Sequence, residues 1–194
     1  MSRLPLFPLE LVLLPYESLP LHIFEPRYKK MVKRFLDDDK PFGIILKQGG
    51  QIFDKGCRVI VTKVFKEYQN GEYDILVKGT DLFDVISTEM DGDTMIGEVE
   101  YLAIGADTNE IHIQELQDTY LKVLLRFGVD TDLEVHMNKK ISYEFLQGLE
   151  LPVPIKKDIL EINEESERLL FINKIFQRIL EKEISPQNGQ KPEA

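Results

Sequence analysis

Residues 4–28 have the sequence LPLFPLELVLLPYESLPLHIFEPRY, in which short apolar runs typical of β-strands alternate with prolines. Proline has no backbone N–H to donate, so within sheets it is confined to edges and bends. The runs Leu11–Leu14 and Leu19–Phe24 are therefore expected to lie at edges. The segment as a whole is predicted to wrap around a sheet rather than to supply a central strand.

A helix is predicted directly after this segment, over residues 26–37. Pro26 suits a first helical turn, and apolar side chains then recur at helical spacing until the acidic stretch Asp37–Asp39. The polar face of this helix carries four basic side chains, at Lys29, Lys30, Lys33 and Arg34. This basic face is our candidate partner-binding surface.

Beyond the helix, five short runs rich in β-branched and aromatic residues are separated by turn signals. The predicted strands are Phe42–Lys47, Arg58–Lys66, Glu72–Lys78, Leu82–Thr88 and Met95–Leu102, with turns at Gly49-Gly50, Asn70-Gly71, Gly79 and Asp91-Gly92. This spacing is typical of an antiparallel meander or a small barrel. Asn70-Gly71 predicts a two-residue type I′ hairpin turn.

The hydrophobic period changes after Gly105 from that of strands to that of helices. The first of the predicted helices ends near Gly128. Three more are predicted, at about 138–147, from about residue 155, and at about 164–183. We therefore expect a barrel subdomain at residues 1–104, which includes the helix at 26–37, and a helical subdomain at 105–183. Residues 184–194 have no apolar anchor and are predicted to be disordered.

The composition is that of an ordinary soluble protein of 194 residues, 43% hydrophobic and 30% charged. Cys57 is the only cysteine, so an intrachain disulfide and a cysteine-rich zinc site are both excluded, and a reducing cytoplasm is the expected compartment. The longest apolar stretch near the N-terminus, residues 11–15, is too short to cross a bilayer. A membrane protein is not expected.

Charge is distributed unevenly along the chain, whose net charge is −10. Residues 1–66 hold 12 basic and 7 acidic side chains, whereas residues 67–118 hold one basic and 14 acidic ones. The acidic region from Glu67 to Asp118 is either a solvated outer face or a second docking surface, and it could also attract the basic face within the fold. The acidic balance argues against a nucleic-acid partner.

Catalytic motifs are missing. No glycine is followed by lysine, which excludes a P-loop, and no serine stands in G-x-S-x-G or S-x-x-K. His22, His112 and His136 are isolated, and none has the spacing of a zinc-binding helix. Cys57 is expected to be a buried structural thiol. We therefore predict no enzymatic activity, no cofactor and no metal.

The N-terminal segment, from Leu4 through Tyr28, resembles the N-terminal domain of the Lon protease family in its small stand-alone bacterial form. The similarity continues through Phe42-Gly43-Ile44, Gly56 and the run from Tyr73 to Gly79, and ends at Leu151-Pro152-Val153-Pro154 and the helix that follows. It covers roughly residues 3–182. The string is long and irregular, so a chance match is improbable.

The resemblance implies an α+β fold: a PUA-like small β-barrel of about six strands followed by a C-terminal helical subdomain. It also implies a role in selecting protein substrates, without the ATPase and peptidase modules of complete Lon proteases. The leading hypothesis is a non-enzymatic module that binds proteins or unfolded polypeptides and passes them to a protease on another chain. The alternative is an RNA-binding module, since other PUA-like barrels bind RNA.

Overall fold

The computed structural model describes residues 1–38, 40–105, 110–129 and 133–181. The strands in these ranges are β1 (Ser2–Leu9), β2 (Ser18–Ile23), β3 (Phe42–Gln48), β4 (Gln51–Glu67), β5 (Tyr73–Asp91) and β6 (Thr94–Leu102). The helices are α1 (Pro26–Asp38), α2 (Glu110–Arg126), α3 (Leu133–Met137), α4 (Val153–Glu161) and α5 (Glu165–Glu181). A 3-10 helix, Ser142–Leu146, precedes α4.

The strands form one sheet in the order β2-β5-β4-β3-β1-β6, and a further pairing joins β5 to β6. This pairing closes β5, β4, β3, β1 and β6 into a small barrel, while β2 pairs with the first half of β5. The barrel interior holds a cluster of five buried side chains, Leu4, Leu6, Ile45, Phe83 and Val99. The predicted α+β fold, a small barrel followed by helices, is confirmed.

β1 lies between β3 and β6, so the prediction that the proline-rich segment avoids central positions is wrong for this strand. The two pairings of β1 are staggered. Ser2–Leu6 pairs antiparallel with β6, and Leu6–Leu9 pairs parallel with β3. Pro5 and Pro8 therefore each have a neighbouring strand on one side only, and this arrangement accommodates their missing N–H groups.

β5 is one long strand, which corrects the prediction of two strands with a turn at Gly79. Its first half pairs with β2 and its second half with β6, while β4 pairs with residues 73–84. Gly79 lies between the two halves. Glycine is required there because the loop around Leu14 lies close to this point of β5.

A tight two-residue turn is formed by Gly49-Gly50, where φ is +59° and +82° and the flanking Gln48 and Gln51 are paired. The prediction of such a turn at Asn70-Gly71 is wrong. Gly71 (φ +77°) donates from its N–H to the Tyr68 carbonyl at 2.9 Å, and Asn70 uses its side-chain Oδ1 to accept a bond from the N–H of Glu72. Five residues therefore separate β4 from β5.

The helices after the barrel pack against it and against one another. α2 ends at a Schellman motif around Gly128 (φ +63°): Gly128 N–H bonds to Leu125 O, and Val129 N–H bonds to Leu124 O. Tyr120 of α2 stacks on Phe176 of α5 with ring centroids 5.6 Å apart. Of the helix predicted at about 138–147, the structure forms only the 3-10 helix Ser142–Leu146. The Glu144 carboxylate accepts bonds from the N–H groups of residues 140 and 141, which directly precede this helix.

A second hydrophobic cluster joins the outside of the barrel to α1 and to the later helices. The predicted tail, residues 184–194, lies outside the described residues. The division into units at 1–104 and 105–183 stays a prediction. None of the helices described here is long and apolar enough to cross a membrane.

Candidate functional site

A groove of about 740 Å³ lies between the barrel and the segment that precedes α4. One wall comes from residues 11–20 and the other from residues 147–156. Its apolar lining includes Leu11, Leu19, Pro20, Leu149, Leu151 and Val153. Several of these side chains are only half-buried, so they present apolar surface to the groove. We call this feature the apolar groove.

The first wall of the apolar groove is held in an unusual backbone conformation at Tyr16. Its φ is +67°, which is strained for a residue that has a side chain. Tyr16 N–H donates to Gly79 O at 3.0 Å, and Gly79 N–H donates to Glu17 O at 2.9 Å. These two bonds fasten the loop to the middle of β5 and so maintain the strained conformation.

Gly79 permits this contact because it has no side chain. A Cβ atom there would lie 2.4 Å from Leu14 O and 2.9 Å from Cys57 Sγ. The Leu14 carbonyl is backbone and cannot rotate away as a side chain would. The close approach of the loop to β5 therefore requires glycine at this position.

Glu17 connects the two walls of the groove. It is only 8% exposed, and its carboxylate lies 2.7 Å from Lys156 Nζ in α4. The same carboxylate accepts the Leu14 N–H at 2.9 Å. Both of these bonds are largely removed from water, so loss of either partner would leave a buried charge without compensation.

β2 borders the apolar groove with an open edge. Within the described sheet it pairs only with β5 and stands at one end of the strand order, and Ser18, Leu19 and Pro20 line the groove. An exposed strand edge can accept an added strand from another chain, since its outward N–H and C=O groups are unpaired. Apolar pockets beside such an edge select the side chains of the added strand.

The predicted basic face is divided by the structure. Lys30 and Arg34 line a second groove of about 590 Å³, together with residues from the start of β1 and from the β5–β6 turn. Lys29 points instead to the β4–β5 turn and donates to Asn70 O at 3.0 Å. Lys33 is exposed and lines neither groove.

Part of the acidic region is engaged by side chains from the first 66 residues. The ion pairs join Arg58 to Asp81, Lys55 to Asp84 and Arg3 to Glu89, and His22 forms a hydrogen bond with Asp74. His22 and Tyr68 both bond to Asp74, and these bonds lower the pKa of its carboxyl below the ordinary value. These pairs explain part of the charge asymmetry as attraction within the fold.

Comparison with protein-family models identifies the group to which the fold belongs. The model of the ATP-dependent protease La (LON) substrate-binding domain matches residues 3–178. The chain belongs to this family. The resemblance stated from the N-terminal motif is thereby confirmed. A comparison with curated protein sequences finds no match.

Solved structures of Lon N-terminal domains share the fold. A Lon N-terminal domain protein from Xanthomonas campestris superposes with a TM-score of 0.67 and 23% identity, over 93% of this chain and 98% of that one. The N-terminal domain of the Mycobacterium avium complex Lon protease gives a TM-score of 0.74 and 14% identity, over 91% and 98% of the two chains. At these identities the likeness establishes the architecture alone.

The apolar groove of this Lon substrate-binding domain was not predicted from the sequence. Its walls lie more than a hundred residues apart in the chain, so no local pattern connects them. One signal was available: Leu149, Leu151 and Val153 are apolar residues in a stretch broken by prolines. Such residues are candidates for a binding surface.

Two side chains of nucleophilic type, Cys57 and Ser142, lie in structural surroundings. Cys57 is fully buried, and desolvation raises the pKa of its thiol far above the ordinary value. Ser142 Oγ accepts a bond from Arg168 and donates one to Glu165, so it is part of a structural network. Among the residues that the structure describes, no group of three acidic, histidine or cysteine side chains could hold a metal ion.

The burial of Cys57 predicts that its thiol reacts slowly in the native protein. We expect the native protein to react with an aromatic disulfide reagent no faster than it unfolds, since only the exposed thiolate attacks. The reaction is followed by absorbance with and without denaturant, and the single cysteine gives one thiol per chain. Complete labelling within seconds under native conditions would contradict the buried placement.

Proposed function

We propose that this chain is a non-enzymatic module that binds unfolded polypeptides in the apolar groove. The observation that carries the proposal is the groove itself: half-buried leucines lie beside the open edge of β2. A bound chain adds its backbone to the strand edge and places its apolar side chains among those leucines. Folded proteins bury their apolar side chains and pair their backbone groups internally, so this binding mode favours unfolded or damaged chains.

Membership of the substrate-binding family supports the same conclusion, because the family is described by its role in binding substrates of an ATP-dependent protease. We further propose that bound polypeptides are passed to a protease on another chain, and that the module acts in the cytoplasm. In this proposal the chain contributes recognition and no catalytic step.

Replacing Leu19 or Leu149 by serine tests the site. Each change removes apolar contact area worth about 1–2 kcal/mol, so the Kd should rise roughly tenfold. The probe is a fluorescently labelled, reduced and carboxymethylated protein that cannot refold, and binding is measured by fluorescence anisotropy. Leu125→Ser is the matched control, because Leu125 is 71% exposed and lies outside the groove.

We expect the control variant to bind like the parent chain. Unchanged binding by folded Leu19→Ser and Leu149→Ser variants would exclude the groove as the site. A labelled RNA hairpin tests the alternative function in the same assay. RNA binding that is tighter than polypeptide binding and falls steeply with salt would overturn the proposal in favour of an RNA-binding module.

A further inference from the structure

The second groove, of about 590 Å³, shares no lining residue with the apolar groove and differs from it in chemistry. Five of its lining residues are basic, and two are acidic. The basic residues are Arg3, Arg27, Lys30, Arg34 and Lys40, and the acidic ones are Asp91 and Asp93 of the β5–β6 turn. We call it the basic groove.

Two of these cations are available to a ligand. Arg3, Arg27 and Lys40 are paired with Glu89, Glu25 and Asp38 respectively. Lys30 and Arg34 are exposed and form no ion pair within the described part of the chain. They lie one helical turn apart on α1, so both side chains project from the same face into the groove.

The opposite wall is a stretch of backbone with an open edge. Ser2–Pro5 lines the groove and pairs with β6 on one side, whereas the pairing of β1 with β3 begins only at Leu6. In the described sheet the other edge of Ser2–Pro5 is therefore unpaired. An extended chain could bond to this edge, except at Pro5, which has no N–H.

The lining of the groove also includes three apolar or aromatic residues, Leu4, Met31 and Tyr101. Leu4 and Met31 are buried in the core, whereas Tyr101 is 40% exposed. Asp91 and Asp93 offer acceptors for backbone N–H groups and would repel a ligand as densely charged as a polyphosphate. The combination fits a ligand with spaced negative charges, apolar side chains and a hydrogen-bonding backbone.

We propose that the basic groove is a second binding site, for an acidic polypeptide segment held in extended form along Ser2–Pro5 with its carboxylates toward Lys30 and Arg34. This inference is independent of the proposed function, since it uses different residues and selects different ligand chemistry. It also gives the two halves of the basic face of α1 different roles: Lys30 and Arg34 contact the ligand, and Lys29 and Lys33 do not.

Two double variants of α1 test this site. Lys30→Gln/Arg34→Gln and Lys29→Gln/Lys33→Gln each remove two positive charges at positions i and i+4 of the same helix. The probe is a short labelled peptide that alternates glutamate with leucine, and its glutamine counterpart is the charge control. We expect the first double variant to raise the Kd about tenfold and the second to change it less than about twofold.

Binding of the acidic peptide should also weaken as salt is added, and the glutamine peptide should bind less tightly. An equal loss of affinity in the two double variants would show that the peptide is held by general charge attraction, and it would overturn the proposed site. Tripolyphosphate that binds while the acidic peptide does not would assign the groove to a phosphate ligand instead, and no binding of either would exclude it. Thermal unfolding of both variants checks that α1 remains folded.

Discussion

Gly79→Ala is expected to lower the free energy of unfolding by about 3 kcal/mol, because the added Cβ would lie 2.4 Å from the carbonyl oxygen of Leu14. The clash is with backbone, so relief requires the loop around Tyr16 to move away from β5. That movement would break the bonds from Tyr16 N–H to Gly79 O and from Gly79 N–H to Glu17 O. For a chain of this size the melting temperature should fall by roughly 10 °C.

Gly105→Ala is the control for this experiment. Within the described part of the chain, and apart from its chain neighbours, no atom lies within 4 Å of a Cβ built at Gly105, and its φ is not in the left-handed region. The control should be neutral or slightly stabilising, since it reduces the conformational entropy of the unfolded chain. Urea unfolding followed by circular dichroism measures both. Equal stability of the two variants would mean that the fold does not depend on the close contact between this loop and β5.

The role of Gly79 also marks what the sequence could not reveal. Its position between two β-type runs indicated a turn, because glycine commonly ends a strand. The structure uses it instead for contact with a loop 65 residues earlier in the chain, while the strand continues. A requirement for glycine that arises from such a distant contact cannot be recognised from the local spacing of residues.

The elements that were predicted well are those decided locally. The helix predicted at 26–37 corresponds to α1 (Pro26–Asp38), since its apolar period and Pro26 act within a few residues. The turn pairs show the limit of local signals. Gly49-Gly50 forms a two-residue turn, whereas Asn70 accepts a bond from the N–H of Glu72 through its side chain, and only Gly71 of that turn has a left-handed backbone.

The same limit applies to the candidate sites. Helical spacing was sufficient to place Lys30 and Arg34 on one face of α1. It could not separate them from Lys29 and Lys33, because the difference comes from which strand or turn packs beside each pair. The apolar groove required knowledge that residues 11–20 and 147–156 meet, which only the folded chain provides.

Lys156→Met is expected to cost about 3 kcal/mol of unfolding free energy, because it leaves the carboxylate of Glu17 buried without its cation. Glu17 and Lys156 side chains are 9% and 17% exposed, so water cannot replace the lost partner fully. Lys157→Met is the matched control from the same helix. Lys157 is 34% exposed and pairs with Glu161 on the surface, so its loss should cost about 1 kcal/mol or less.

A second variant separates the charge from the packing of this pair. In Glu17→Gln/Lys156→Met no uncompensated charge remains, and the glutamine oxygen can still accept the Leu14 N–H, so most of the lost stability should return. The same double variant should retain polypeptide binding, because it keeps the two walls of the apolar groove packed together. If Lys156→Met costs no more than Lys157→Met in urea unfolding, the buried pair does not fasten α4 to the barrel.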